Sequence, residues 1–180
     1  MKLRETELTG ACVVELEPLR DERGWFARTF DAEVFAELGL DARVSQCNTS
    51  FNERAGTLRG LHFQAEPHGE GKLVRCTRGA VFDVLVDLRP ESETFCRWLG
   101  FALRADGVES LFIPAGFAHG FQTLEDASEV HYQMTYHYVP EAARGVRWDD
   151  PAFGIDWPEP PAGGRTMSER DASYPDFRRP

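Results

Sequence analysis

A histidine and an arginine stand three residues apart in residues 56–64, G-T-L-R-G-L-H-F-Q, where most other residues are apolar or glycine. A free histidine has a pKa of about 6.5, so His62 can act as a base near neutral pH. Arg59 carries a planar set of N–H donors that suits phosphate oxygens. A lone histidine of this kind is usually a core residue whose ring nitrogens are hydrogen-bonded. Only the neighbouring residues favour a catalytic role for His62.

Apolar and polar residues roughly alternate along this stretch and turn residues bound it, which predicts a β-strand. In a regular strand, Arg59 and His62 would point to opposite sides. If both serve one site, Gly60 must mark a bulge or a bend.

With these residues the chain resembles the dTDP-4-dehydrorhamnose 3,5-epimerase family, enzymes of deoxysugar nucleotide synthesis with a cupin-like barrel. The resemblance continues in order along nearly the whole chain, through residues 72–74, 83–89, 113–121, Tyr132 and 168–171. It implies an all-β, cupin-like jelly-roll barrel with a short N-terminal helix and an irregular C-terminal tail packed on the barrel. We expect residues 1–180 to form a single domain.

The resemblance also implies a mechanism without a cofactor. Epimerisation beside a ketone needs a base, a group that stabilises the enolate oxygen and an acid on the opposite face. By resemblance, His62 is the base, Asp171 orients it and Asp83 lies near the same histidine. Lys72 would stabilise the enolate and Tyr132 would donate the proton. Without the resemblance, Lys72 reads as a solvated strand-end lysine and Tyr132 as part of a core aromatic stripe.

A second group of residues matches family positions that hold the substrate. Arg59 and His119 would hold the diphosphate and sugar, while Phe26 would stack on the base and Arg23 would engage the nucleotide. The full set of expected substrate-binding residues is Arg23, Phe26, Arg28, Gln46, Asn48, Arg59, His119 and Tyr138.

Two residues depart from the family pattern. Arg28 stands where rhamnose-pathway members usually carry a glutamate that contacts thymine, and Glu70 stands where glutamine is common. Neither is the base, its carboxylate or the tyrosine, so the departures put the nucleotide in question rather than the chemistry.

Many cupins bind a metal through an H-x-H pair, a carboxylate and a later histidine. Here Gln64 occupies the place of the second histidine after His62. His131 and His137 lie on one face of a later predicted strand but lack a matched carboxylate. We therefore predict no metal site.

The composition limits the classes of molecule that this protein could bind. The 180 residues carry a formal net charge of −10, which argues against general binding to nucleic acid or anionic membranes. An anionic ligand would need a local basic pocket. The four cysteines form no C-x-x-C pair, and neither a signal peptide nor an apolar run of spanning length is evident. We expect a reduced, cytoplasmic protein.

About ten strands are predicted, with a helix capped by Asp31 and ended by Gly39. Residues 43–51 and 57–64 are interpreted as paired strands, and Asp106-Gly107 as a hairpin turn. In residues 82–88, every second residue from Phe82 to Leu88 is apolar, whereas the opposite face carries Asp83 and Asp87, which predicts a half-buried strand. The aromatic segment after Pro140 should pack on a barrel, its own or a partner's.

The predicted function is epimerisation of a nucleoside-diphosphate 4-keto-6-deoxyhexose at C3, C5 or both. The resemblance further implies a homodimer in which an N-terminal segment reaches the partner's site. The alternatives are a single-carbon epimerase or ketoisomerase, a non-catalytic cupin that binds sugar nucleotides, and a metal-dependent cupin oxygenase.

Overall fold

The computed structural model describes residues 1–179, which form short antiparallel strands and little helix. The strands are β1 (Lys2–Glu5), β2 (Cys12–Glu15), β3 (Leu19–Asp21), β4 (Gly24–Phe26), β5 (Gln46–Asn52), β6 (Leu58–Gln64), β7 (Lys72–Arg78), β8 (Ala80–Asp87), β9 (Trp98–Arg104), β10 (Glu109–Ile113), β11 (Phe117–Thr123), β12 (Ser128–Met134) and β13 (Ala143–Gly145). The helices are α1 (Ala32–Glu37) and α2 (Glu169–Ala172), with a 3₁₀ turn at Pro140–Ala142.

Two sheets face each other and enclose the core. The six-stranded sheet has the order β1-β2-β10-β7-β12-β5, and the five-stranded sheet has the order β13-β6-β11-β8-β9. Apolar side chains from both sheets, such as Val74 and Val130 on one and Leu85 and Phe121 on the other, form a single buried cluster. The predicted cupin-like barrel is confirmed.

Chain segments also cover the outer faces of both sheets. Helix α1 begins after Asp31, whose carboxylate accepts from two backbone N–H groups, and it buries Phe35 against Phe112 of the six-stranded sheet. The C-terminal segment places Phe153 and Trp157 on the outer face of the five-stranded sheet. The helix lies after the first four strands, and the tail packs on its own barrel as predicted.

Two predicted strand pairings are wrong. Strand β5 pairs with β12, whereas β6 pairs with β11 and β13 in the other sheet. Strand β9 pairs with β8, and β10 with β2 and β7, so the turn at Asp106-Gly107 links the two sheets rather than closing a hairpin. A local turn signal reports a reversal of the chain, but the barrel decides which strand becomes the neighbour.

The prediction that β8 is half-buried is also wrong. Asp83 and Asp87 on its inner face are fully buried, and so are Val84 and Val86 on the opposite face. The tail covers the outer face, which an isolated strand would expose. The alternation of residue types therefore marks two different buried environments.

Strands β3 and β4 form a separate two-stranded hairpin. Leu19 and Phe26 on this hairpin are largely exposed, while Trp25 lies against Arg75 of β7, with 5.9 Å between the guanidinium carbon and the ring centroid. A two-stranded hairpin alone is marginal in water, so contacts outside it must hold it in place.

Across residues 1–179, none of the helices has the length and apolar character needed to span a membrane.

Candidate active site

The backbone bends at Gly60, in the middle of β6. Its φ is +123°, and the pairing of β6 with β11 shifts register at this point. A Cβ atom on Gly60 would lie 2.6 Å from the Cα of Gly120 on β11, so the two strands approach too closely for any other residue. The expected irregularity is present, and Arg59 and His62 line the same cavity.

This cavity lies inside the barrel and has a volume of about 420 Å³. Eight of the residues expected at the site line it: Gln46, Asn48, Arg59, His62, Lys72, His119, Tyr132 and Tyr138. They come from both sheets and from the segment after β12.

His62 forms a pair with Asp171 of helix α2. Its Nε2 lies 2.8 Å from Asp171 Oδ1, and the other carboxylate oxygen accepts from the backbone N–H of Gly60. Ser168 caps α2 by accepting from the N–H of Asp171, which fixes the helix that carries the carboxylate. Burial alone would raise the pKa of Asp171, but the hydrogen bonds from His62 and Gly60 outweigh it and lower the pKa. The ionised carboxylate holds the proton of His62 on Nε2, which leaves Nδ1 as the basic nitrogen.

His119 forms a second pair, with Asp83. Its Nε2 lies 3.0 Å from both oxygens of the Asp83 carboxylate, and both residues are buried. This corrects the expected position of Asp83, because its carboxylate holds His119 and not His62. His62 and His119 are themselves cross-strand partners on β6 and β11.

Tyr132 and Lys72 line the wall opposite His62, on β12 and β7 of the six-stranded sheet. Burial raises the pKa of Tyr132, although the nearby Arg59 opposes the shift, so the hydroxyl keeps its proton at neutral pH. Lys72 is almost fully buried and its Nζ lies 2.8 Å from Glu70 Oε1. It is therefore not the solvated strand-end lysine that its position alone suggested.

The cavity is basic although the chain is acidic. Arg59, Lys72, Arg144 and Arg170 contribute cationic groups to its lining, against the single carboxylate of Glu70. The local basic pocket that an anionic ligand requires is present.

Neighbouring side chains position two of the binding candidates. Arg59 Nε donates to Asn52 Oδ1 at 2.7 Å, which fixes the guanidinium at the cavity wall. Gln46 Oε1 accepts from the backbone N–H of Tyr138, so the segment after β12 is tied to β5 beside the cavity.

Three expected binding residues do not line the cavity of their own chain. Arg23 pairs with Asp21 in the turn of the hairpin, and the Phe26 ring is largely exposed. Arg28 pairs with Asp31, the residue that caps α1. A short separation along the chain makes these ion pairs with neighbouring aspartates easy to form.

Some residues that line the cavity were not among the expected site residues, including Ser50, Arg170 and Glu70, which the sequence marked only as a departure from the family pattern. Ser50 continues the row of Gln46 and Asn48, because alternate residues of a strand share a face. Arg170 adjoins Asp171 in the C-terminal motif. The strand period and that motif were signals that could have found both.

Within the described residues, no group of three or more histidine, cysteine, aspartate or glutamate side chains is arranged to hold a metal ion.

A barrel that sets a carboxylate-oriented histidine opposite a tyrosine and a lysine defines a cupin-like enzyme with an acid–base site. The family model described as dTDP-4-dehydrorhamnose 3,5-epimerase matches residues 5–179. The chain belongs to this family, and it is an isomerase.

Known relatives agree over nearly the full length. The dTDP-4-dehydrorhamnose 3,5-epimerase of Methanothermobacter thermautotrophicus is 47% identical over 174 residues, covering 97% of this chain and 93% of the relative. The crystal structure of the enzyme of that name from Elizabethkingia anophelis superposes with a TM-score of 0.94 at 38% identity, covering 98% of this chain and 96% of the other. A second structure is that of dTDP-6-deoxy-D-glucose-3,5-epimerase from Legionella pneumophila in complex with dTDP-4-keto-L-rhamnose. It superposes with a TM-score of 0.88 at 37% identity, covering 95% of this chain and 89% of the other.

Proposed function

We propose that this chain epimerises a nucleoside-diphosphate 4-keto-6-deoxyhexose of the dTDP type at C3, C5 or both. The reaction removes a proton from a carbon beside the ketone and returns one to the opposite face. The proposal takes its substrate class from the relatives and its chemistry from the cavity.

One observation carries the proposal: the base candidate and the acid candidate lie on opposite sheets and line one cavity. His62 belongs to the five-stranded sheet, whereas Tyr132 belongs to the six-stranded sheet. Inversion requires proton removal on one face of a carbon and delivery on the other, so the two groups must flank the sugar.

In the proposed reaction, Nδ1 of His62 takes the proton from the carbon beside the ketone. The electrons of the broken C–H bond form a C=C bond, and the carbonyl oxygen becomes an enolate oxygen that Lys72 stabilises. Tyr132 then donates its hydroxyl proton to the opposite face of the same carbon, and the C=O bond re-forms. Asp171 stabilises the imidazolium of His62 without taking its proton, and exchange with water resets both groups.

The cationic wall suits the diphosphate. Arg59, held by Asn52, can offer two parallel N–H groups to phosphate oxygens. The buried His119 lines the same cavity. With both diphosphate and sugar anchored, the carbons beside the ketone are held between His62 and Tyr132.

The test is proton–deuterium exchange in heavy water, followed by NMR, with a panel of nucleoside-diphosphate 4-keto sugars. We expect deuterium at C3, C5 or both and an inverted product from a dTDP-linked substrate. Binding without exchange would support a non-catalytic sugar-nucleotide-binding cupin instead. Exchange at only one carbon would narrow the reaction to a single-carbon epimerase.

We further propose that the active form is a homodimer in which the β3–β4 hairpin contributes to the partner's cavity. The hairpin exposes Leu19 and Phe26, and its binding candidates do not reach the cavity of their own chain. Exposed apolar side chains on this hairpin are suited to contact with a second copy.

Mixing two inactive variants tests the shared site. In a heterodimer of His62→Ala and Phe26→Ala, one cavity has an intact His62 and receives an intact Phe26 from its partner. We expect the mixture to recover activity that neither variant shows alone, whereas no recovery would indicate sites built within one chain. Sedimentation of the wild-type chain gives its oligomeric state independently.

We also expect activity to survive exhaustive chelation, because no ligand set of the usual cupin type was found in the sequence. Activity that chelation removes and one particular metal restores would favour a metal-dependent cupin oxygenase.

The four cysteines are free thiols, which supports the proposal of a reducing, cytoplasmic setting.

A further inference from the structure

The carboxylate of Glu70 lies in the cavity wall with one oxygen used and one oxygen free. Its side chain is only 4% exposed, and Oε1 lies 2.8 Å from Nζ of Lys72. Among residues 1–179, no group donates a hydrogen bond to the buried Oε2. A buried acceptor without a donor is costly, and a charged one more so, which points to a ligand that supplies the donor.

The backbone holds this carboxylate in place. Gly71, between Glu70 and Lys72, donates its N–H to Thr135 Oγ1 at 2.8 Å and accepts from the Thr135 N–H at 3.0 Å. The segment that carries both charged side chains is therefore hydrogen-bonded to the residue that directly follows β12. Oε2 cannot readily turn to water, since the residue as a whole is 6% exposed.

Substrate chemistry suggests which donor belongs there. In a 4-keto-6-deoxyhexose, the ketone at C4 is flanked by C3, which carries a hydroxyl, and by C5, which carries a methyl group. The nearest donor to the ketone oxygen is therefore the 3-hydroxyl. A lysine on the ketone oxygen and a carboxylate on the adjacent hydroxyl match an α-hydroxy ketone at two points.

We infer that Glu70 is a specificity residue whose Oε2 accepts a hydrogen bond from the 3-hydroxyl of the sugar. This inference rests on the proposed function, because it places the ketone oxygen at Lys72. Glu70 then selects substrates with a free 3-hydroxyl and restrains the oxygen on one of the carbons that can be inverted. A glutamine at this position keeps an acceptor for Lys72 but presents N–H groups where Oε2 stood.

The test compares Glu70→Gln with wild type on two substrates, a 4-keto-6-deoxy sugar and its 3-deoxy analogue, both linked to dTDP. Deuterium exchange and equilibrium affinity are measured for each substrate. We expect Glu70→Gln to lose about tenfold or more with the 3-hydroxy substrate and to match wild type with the 3-deoxy analogue. The difference between the two losses isolates the contact from any general damage to the protein.

Two controls accompany this comparison. Glu66→Gln makes the same change of charge on an exposed residue four positions earlier that does not line the cavity, and it should leave both substrates unaffected. Affinity for dTDP, which lacks the hexose, should be the same in Glu70→Gln and wild type.

Equal losses on the two substrates would overturn the inference, because Glu70 would then act only through Lys72. Equal activity of Glu70→Gln and wild type on both would overturn it as well. If the wild-type chain shows no exchange with any 4-keto sugar, the proposed function fails. In that case the affinities of wild type and Glu70→Gln for the two substrates still test the contact. A loss of affinity confined to the 3-hydroxy substrate supports the role of Glu70, and equal losses on both substrates overturn it.

Discussion

Two histidine–aspartate pairs stand side by side across β6 and β11, yet they differ in exposure and in the origin of the carboxylate. The side chain of His62 is 45% exposed, whereas that of His119 is 8% exposed. Asp171 comes from helix α2 near the C-terminus, whereas Asp83 comes from the neighbouring strand β8. The same two residue types thus form one open pair and one closed pair.

The difference indicates separate tasks. A base must reach the substrate and exchange its proton, which suits the open His62. A residue that only shapes the wall of the binding cavity needs neither, which suits the buried His119 with both oxygens of Asp83 behind it. The open pair depends on the docking of a distant helix, while the closed pair belongs to the barrel itself.

The largest expected effect comes from removing the open histidine. His62→Ala should lower deuterium exchange by about a hundredfold to ten-thousandfold, because a general base is lost. Affinity for dTDP should change little, since Arg59 and His119 remain. NMR exchange and titration calorimetry measure the two quantities.

The matched change in the closed pair is His119→Ala. It leaves the buried carboxylate of Asp83 without its partner, which should cost about 3 kcal/mol or more of folding free energy and also weaken dTDP binding. Urea unfolding measures the loss of folding free energy in His119→Ala.

For the open pair, near-normal exchange in His62→Ala would remove His62 from the mechanism.

The carboxylates give the next contrast. Asp171→Asn should lower turnover by about a hundredfold, because the amide no longer fixes the tautomer of His62 or stabilises its charged form. Asp83→Asn should affect substrate affinity and stability more than turnover, so kcat and KM measured separately distinguish the two pairs. If both variants lose turnover equally, the two pairs work as one unit.

Tyr132→Phe should separate exchange from inversion. The ring still packs against the core of the barrel, and His62 can still exchange the proton on its own face, but the donor on the other face is lost. We expect inverted product to fall by about a hundredfold while exchange falls much less. Equal loss of both activities would show that Tyr132 positions the sugar instead.

Asp87, four residues after Asp83 on the same face of β8, should matter for stability alone. Burial would raise its pKa, but bonds from Arg89, Ser92 and Thr94 outweigh it and lower the pKa to about 2. Because the pKa is lower in the folded state, the stabilisation is present above the unfolded value near 4 and is lost as the pH falls through 2.

The expected contribution of Asp87 at pH 7 is about 2 kcal/mol. Asp87→Asn should be less stable than wild type by this amount in urea at pH 7, with a gap that narrows between pH 4 and 2. Exchange activity should match wild type at neutral pH. A variant with lowered activity and unchanged stability would assign Asp87 to the site.

The smallest effect is expected at Arg28, outside both pairs. Because Arg28 pairs with Asp31 at the surface, Arg28→Glu should change the ratio of affinities for dTDP and other nucleoside diphosphates by no more than about twofold. A clear shift towards thymidine would show that Arg28 faces a nucleotide base, as the proposed contact with the partner's cavity would allow.

Local patterns were sufficient for several features. The cap at Asp31 predicted where α1 begins, because a cap depends only on neighbouring backbone groups. The need for a bend at Gly60 followed from two side chains on opposite faces of a strand. Pairing partners of strands were not predictable in this way, since β5 and β6 belong to different sheets.

By itself, the sequence determined the family, the all-β class and eight residues of the cavity, because these depend on motifs and on the alternation of side chains along single strands. Only the tertiary structure decided that Asp83 holds His119, that Lys72 pairs with Glu70, and that Arg23, Phe26 and Arg28 lie away from their own cavity. Such contacts join residues from different sheets, loops and helices, and their distances follow from how the whole barrel closes. The order of residue types along the chain does not give these distances.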